Sequence, residues 1–441
     1  MKNFNRNAAV NNIEKSSNIS GKPTSVTTIT VEDEKDAWTD EYGVKYSKDG
    51  KKLLICTNED LKSYSVRQGT EIISDTAFFC CGALQSVTIP NSVTSLGVCA
   101  FEYCSSLQSI NIPDSVTSIG NHAFEGCSVL QSITIPSSVT CIGERVFFHC
   151  SSLQSANIPD SLTTIGDHAF RGCSSLQSVV IPDSVTSIGY GAFGGCSSLK
   201  SVTIPSSVTS IKGNPFMDCP AEVVNHSTHF TLFEGNLYTA DKSRLISYLS
   251  KGDSFTIPDT VTCIAEEAFS DCSSLKSVII PRSVTSMGYG AFEECASLQS
   301  VVIPDSLTDI PESAFDGCTS LKSVTIPNTV TSIGNHAFNE CTSLLSVIIP
   351  DSVTSIGQCA FCECSSLQSV DIPNSVTSIS KCAFSECTSL QSVTIPDSVT
   401  SIDYDAFMGC DVLQSIFIAH KTYDRLKDML KDYTSIIKFT D

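Results

Sequence analysis

The chain has 441 residues, enough by length for several globular domains, and 41% of them are hydrophobic, enough for a continuous core. Its formal charge of −20 argues against nucleic acid or an anionic membrane surface as a partner. No apolar run reaches the roughly 18 residues that a membrane-spanning helix needs, so no membrane insertion is expected.

Residues 1–37 are polar, rich in Asn, Ser, Thr and Lys, and lack any apolar period, which predicts a flexible tail. The opening MKNFNRNAAVNNIEKSSNIS has no apolar stretch of the signal-peptide kind, and no terminal lipidation motif is evident. From Tyr42 to Ile55 two apolar stretches flank Lys48-Asp49-Gly50. Asp-Gly between such stretches signals a β-hairpin, so residues 38–65 are expected to form a hairpin that caps the first run of coils. A degenerate first coil runs from Val66 to Cys81. There Gly69-Thr70-Glu71 stands where later coils have Ser-Val-Thr, leaving Ile72 and Ile73 as the expected anchors.

The rest of the first run, residues 66–220, repeats with a period of 23 residues, marked by Pro90, Pro113, Pro136, Pro159, Pro182 and Pro205. A strict period of this size means stacked units, each burying its apolar side only against its neighbours. Within one unit Leu199, Val202 and Ile204 read as a short strand with one buried face. Pro205 ends it, because proline has no N–H for a ladder bond. Val208 and Ile211 anchor a second extended piece, and Ala-Phe then Cys follow, as in Ala192, Phe193 and Cys196. Equivalent residues of successive coils are expected about 4.8 Å apart, the spacing of a parallel sheet.

Of 22 cysteines, fourteen fall in this one slot, from Cys81 to Cys410. Beside a repeated Phe, such a residue reads as a small buried hydrophobe, a ladder of free thiols rather than a chain of disulfides or a zinc site. Cys359 and Cys382 share a different slot in adjacent coils and are the pair best placed to crosslink. Free thiols in this number point to a reducing compartment.

After Phe216 the next repeated Phe, Phe269, is 53 residues away. The insert, residues 221–256, contains Glu234 to Ile246, which aligns without a gap onto Tyr42 to Leu54. The chain therefore carries two copies of one plan, a hairpin module and then a run of coils. The middle hairpin either continues the stack or kinks it; the full return of apolar anchors at Ile257 favours continuation. The second run, residues 257–418, has seven Ala-Phe coils. Residues 419–441 are expected to form a helix-and-strand cap: Thr422 is placed to cap a helix in which Leu426, Met429, Leu430 and Tyr433 make one apolar stripe, with a last strand over 436–439.

An enzyme needs unlike polar groups converging at one place. The seven histidines are scattered; His122, His168 and His336 share a slot but lie coils apart. No metalloprotease, nucleophile-elbow, phosphate-loop or dinucleotide motif occurs. No catalytic residue, metal ligand or cofactor is assigned. The recurring Asp-Ser pairs, such as Asp114-Ser115 and Asp183-Ser184, are expected to cap turns by accepting from backbone N–H groups. The sequons at Asn18 and Asn225 matter only in an exported chain.

What remains is surface. The outward strand positions are mostly Gln, Lys, Ser, Thr, Asn or Asp, broken by Val180, Ile279, Val302 and Ile348, and by Phe417 at the far end. Ile279 and Val302 fall in adjacent coils and make the best candidate patch for binding a protein. The same β-branched residues also simply suit an exposed strand.

The unit I-P-x-S-V-T-S-I-G-x-x-A-F-x-x-C-x-S-L-x-S-V, over about residues 66–418, resembles the BspA-like, or Treponema pallidum type, leucine-rich repeat. The resemblance implies a solenoid: a curved leucine-rich repeat stack of 23-residue coils with short parallel strands, interrupted by the hairpin modules. It further implies a non-enzymatic protein–protein recognition module, a cell-surface or secreted adhesion protein with a protein ligand. The missing leader and the free thiols point instead to a cytoplasmic scaffold or regulatory interaction protein.

Overall fold

The structure, a computed structural model, describes residues 25–441; the first 24 residues of the expected tail lie outside the described residues. The chain divides into two compact units, the first ending at His229 and the second running from Phe230 to Asp441. Each is a leucine-rich repeat β-solenoid that opens with a hairpin.

A coil has four sides. The Leu-x-Ser-Val-x-Ile stretch makes a short strand, such as Ser109–Asn111 or Ser323–Thr325, with its middle residue buried and its flanks exposed. These strands pair in parallel with strict register, Ser277 to Ser300 to Ser323. After the Ile-Pro corner a two-residue strand forms, such as Ser118–Ile119, and pairs in parallel with its neighbours. The turn around Ala-Phe then passes twice through left-handed backbone, at His168 (φ 54°) and Gly172 (φ 74°) in one coil. Bulky residues at these positions lean over the following coil. Glycine there leaves the space: a Cβ on Gly191 would run into the His168 ring, and one on Gly172 into the His149 ring.

Three ladders run through each stack. Phenylalanine rings pile face to face. In the first unit Phe101 and Phe124 are 5.4 Å apart and 2° from parallel, and in the second Phe361 and Phe384 are 5.5 Å apart at the same angle. The slot cysteines form the second ladder. The Cys150 thiol donates to the Phe124 carbonyl of the preceding coil at 3.2 Å, and the Cys127 N–H donates to that same oxygen at 3.2 Å. The same thiol bond recurs from Cys104 to Cys196 and from Cys295 to Cys410. The slot thus wants a small apolar side chain with one weak donor, which describes a thiol. Burial accounts for the pKa of Cys127 and Cys341 standing well above the ordinary thiol value.

Hydroxyls make the third ladder, and here the structure corrects the turn-capping expectation. In several coils the corner serine donates to a carbonyl one coil back instead of accepting a local N–H: Ser115 to Val93 at 2.6 Å and Ser184 to Leu162 at 2.6 Å in Asp-Ser corners, and Ser207 to Val185 at 2.7 Å in a Ser-Ser corner. That carbonyl faces the next coil after the corner, where only a side chain can reach it. The threonine of Val-Thr-Ser-Ile does the same, as Thr163 to Thr140 at 3.0 Å.

The two hairpins are copies. Val44–Tyr46 pairs antiparallel with Lys52–Cys56, and Asn236–Thr239 with Arg244–Ser247, each with a register shift just before its buried tyrosine, Tyr46 or Tyr238. Their turns share one hydrogen-bond scheme. The Ser47 hydroxyl donates to Asp49 at 2.8 Å and accepts from the Lys52 N–H at 3.0 Å; Thr239 donates to Asp241 at 2.7 Å and accepts from the Arg244 N–H at 3.1 Å. In each, the hairpin's last strand becomes the first rung of the two-residue-strand ladder, pairing with Ile72–Ile73 or Cys263–Ile264.

Three local expectations change. Within the expected tail, residues 25–37 pack onto the first hairpin: Thr30 caps the one-turn helix Val31–Glu34, the Asp75 N–H donates to the Thr27 carbonyl at 3.0 Å, and Lys52 reaches Asp33 at 2.8 Å. In the degenerate coil Thr70 fills the slot of the usual Val and is fully buried, its hydroxyl donating to the Gly50 carbonyl at 3.3 Å. Ile73 is the buried anchor and Ile72 only half-buried. At the C-terminus the helix is His420–Leu426, with Ala419 at the N-cap position and no side-chain cap, and a 3-10 turn, Lys431–Ile436, comes after it. Thr422 is buried inside that helix, hydrogen-bonded to Asp397. Leu426 and Leu430 are buried while Met429 is exposed, because the break after Leu426 rotates the stripe. Ile437–Phe439 then adds a parallel strand to Ser415–Ile418.

Candidate protein-binding face

The face available for recognition is the outer side of the three-residue strands. In the second unit Ser254–Thr256, Ser277–Ile279, Ser300–Val302, Ser323–Thr325 and Ser346–Ile348 form one parallel sheet. Its register lines up Thr256, Ile279, Val302, Thr325 and Ile348 in a single outward row. Ile279 is 57% exposed, Val302 65% and Ile348 77%. From Ile279 to Ile348 the row spans three strand spacings, roughly 14 Å.

The structure therefore brings three of the four predicted residues together. Val180 is 78% exposed but belongs to the first unit, where its strand keeps only the bridge between Ser155 and Ser178. Its row neighbours there are Asn157 and Thr203, so it stands as a lone apolar residue.

One residue escaped the sequence reading. Leu345, 51% exposed, occupies the outward slot that is Gln or Lys in most coils. Its N–H donates to the Lys322 carbonyl at 3.2 Å and its carbonyl accepts from the Gln368 N–H, which places it in the outer row of Lys322 and Gln368, on the coil that carries Ile348. The signal was present: Ser-Leu-Leu-Ser-Val at 343–347 against the usual Ser-Leu-Gln-Ser-Val. Together Ile279, Val302, Leu345 and Ile348 expose on the order of 400 Å² of apolar side chain, the size of patch that is often functional on a soluble protein. Lys276, paired with Asp253 at 3.6 Å, and Lys322 lie in the same outer row as Leu345.

Two of the histidines that share the slot before Ala-Phe lie against structural neighbours. In the first unit His122 Nδ1 meets Glu125 at 2.7 Å, and this hydrogen bond raises the His122 pKa. His168 is driven down to about 4, first by burial and then by the charges of Arg171 and Arg145. It stacks edge-on against Phe148 and Tyr190. His122 and His168 stand two coils apart within the first unit, and His336 belongs to the second. Among the described residues no group of three His, Cys, Asp or Glu side chains is placed to hold a metal ion, and no helix is long and apolar enough to cross a membrane.

A family model described as the BspA type leucine-rich repeat region matches residues 55–177, 163–247, 247–368 and 354–440. The chain belongs to the BspA-type leucine-rich repeat family. Among solved structures of this repeat type, a leucine-rich cell surface protein from Faecalibacterium prausnitzii is 30% identical. That alignment covers 88% of this chain and 97% of the other, with a TM-score of 0.56. A leucine-rich repeat protein from Bacteroides ovatus is 29% identical over 95% of this chain and 99% of the other, with a TM-score of 0.44. A leucine-rich repeat protein of T. pallidum is 31% identical over 48% of this chain and 96% of the other, with a TM-score of 0.40. No curated protein is significantly similar to the chain in sequence.

Proposed function

We propose that this BspA-type repeat protein binds a protein ligand on the strand face of its second unit, at the patch of Ile279, Val302, Leu345 and Ile348, and that it does so at a cell surface or outside the cell. It binds rather than catalyses. The observation that carries the reading is the row itself: apolar side chains stand outward at positions where other coils put Thr, Asn or Asp. Such a row costs solvation in the free protein and is recovered only when a partner covers it. The surface location is supported by the description of the Faecalibacterium relative as a cell surface protein. The test is capture of ligand from native extract by the wild-type chain and by Ile279→Asp/Val302→Asp. The double variant is expected to lose the captured band while keeping its circular dichroism; unchanged capture rejects the patch.

A second reading, an intracellular scaffold, is favoured by the repeated S–H···O bonds, which need reduced cysteines. Treating intact source cells with protease separates the two: loss of the protein supports the surface, and full protection supports the scaffold.

A further inference from the structure

Three cysteines outside the buried ladder meet on one edge of the second unit. Cys359 and Cys382 fill the same slot of adjacent coils, just before Ala-Phe, and both have left-handed backbone, φ 53° and 51°. The Cys359 N–H donates to the Lys381 carbonyl at 3.0 Å, so the two coils are tied at this slot. Identical backbone in stacked coils sets the two Cα–Cβ bonds side by side, with Cα atoms roughly one ladder spacing of 4.8 Å apart. That lies inside the range of about 4.4–6.8 Å that a disulfide spans. Cys362 sits one turn further on, its N–H donating to the Cys359 carbonyl at 3.2 Å. Cys359 is thus tied through its backbone N–H to the coil of Cys382 and through its carbonyl to Cys362. All three are partly exposed, whereas most of the ladder thiols are buried and committed to phenylalanine carbonyls.

We propose that Cys359 and Cys382 form a thiol–disulfide exchange site for low-molecular-weight disulfides of the glutathione type, closing to a disulfide between adjacent coils. In the first step the Cys359 sulfur, having given up its proton to solvent, attacks one sulfur of the small disulfide. That S–S bond breaks, and the departing thiolate takes a proton from solvent. The Cys382 sulfur then attacks the Cys359 sulfur of the mixed disulfide, displacing the second small thiol in the same way. Two protein thiols are oxidised by two electrons, and one small disulfide is reduced to two thiols. Cys359 is the first attacker because it is the cysteine tied to both others, by its N–H to the coil of Cys382 and by its carbonyl to the Cys362 N–H. Cys382 resolves because stacking holds it alongside, and because burial pushes the Cys362 thiol up to about 12, so that it is scarcely ionised. Burial and the Cys359 sulfur also raise Cys382, though it lies nearer the solvent.

The experiment incubates the full chain with oxidised glutathione under native conditions, then maps cysteine states by mass spectrometry. The expected product is a peptide linked through Cys359 and Cys382, with no glutathione retained on either of them. Cys382→Ser is expected to accumulate glutathione on Cys359, and Cys359→Ser to slow thiol loss about tenfold. Protection of ladder thiols such as Cys318 from alkylation reports that each variant is folded. Should Cys359→Ser fail that check, the wild type and Cys382→Ser decide between them. A Cys359–Cys362 link, glutathione left on Cys359 or Cys382 of the wild-type protein, or the absence of any linked peptide overturns the proposal.

Discussion

Deleting one ring from the middle of the phenylalanine ladder tests whether the stack is held together coil by coil. Phe315 is fully buried and lies between Phe292 and Phe338, 5.4 Å from each and within 8° of parallel to both. The Phe315 N–H also donates to Ala337 O at 2.9 Å, and the strands on the other side of the coil keep their register through Val324 to Val301 and Val347. These bonds fix the coil spacing, so a cavity left by the ring cannot collapse. Phe315→Ala should therefore sit in the upper part of the range for such changes, about 4–5 kcal/mol. The terminal Phe407 has one stacked neighbour, Phe384 at 5.8 Å, and an edge contact with Tyr433 at 6.3 Å. Its loss should cost less, about 3 kcal/mol. Urea unfolding followed by circular dichroism measures both; at a slope of about 2–3 kcal/mol per molar, Phe315→Ala lowers the midpoint by roughly 1.5–2 M. Lys322→Ala, an exposed change in the same coil, is the control and should stay within about 0.5 kcal/mol of wild type. The reasoning fails if Phe315→Ala differs from that control by less than about 1 kcal/mol, or if Phe407→Ala is the more costly of the pair.

Two further outcomes come from the titrating groups. The pKa of His168 is lowered to about 4, so the unfolded chain binds a proton near pH 6.5 that the folded chain refuses. Its neutral form is accommodated in full above that value, and stability falls as pH drops from about 6.5 to about 4, by up to about 3 kcal/mol. His168→Gln should flatten that part of the pH–stability curve, measured by thermal melts; an unchanged slope contradicts the assignment. In the second hairpin, hydrogen bonds from Thr239 and Ser243 hold the Asp241 pKa at about 2. Asp241→Ala should speed amide exchange at Ser243 and Arg244 while Ser300–Val302 exchanges as before; equal protection in both proteins would show that the turn does not depend on the carboxylate.

Much of this architecture is readable in the chain because each coil must present the same residues to the same neighbours. Val202, Ile204, Phe193 and Cys196 could be assigned to the interior from one repeat and checked against thirteen others. The hidden parts are those in which neighbouring coils, rather than neighbours in sequence, decide the outcome. Ser184 looks like a turn cap locally, yet its nearest unmet acceptor is the carbonyl of Leu162, one coil away. Thr70 looks like a substitution that should shift the anchors, but a buried hydroxyl is tolerated where the Gly50 carbonyl can accept from it. The C-terminal stripe fails because periodicity assumes an unbroken helix, while this one tightens after Leu426. For the binding face, β-branched residues stood out as exceptions in a polar row, whereas Leu345 was masked by the repeated Leu at 344 beside it. Cys362 was similarly obscured by its proximity to the ladder cysteine Cys364, although its N–H donates to the Cys359 carbonyl.

The most direct test of the stacked interior is the order in which thiols react with a bulky maleimide in the native protein. Cys141 lies exposed on a two-residue strand, and Cys104, Cys150, Cys318 and Cys341 are buried in the ladder with their S–H groups bonded to phenylalanine carbonyls. Cys141 should label first, with the four ladder thiols labelled only at the rate of unfolding. Labelling of the ladder thiols as fast as Cys141, in protein that retains its native circular dichroism, would mean that the coils do not enclose a common core.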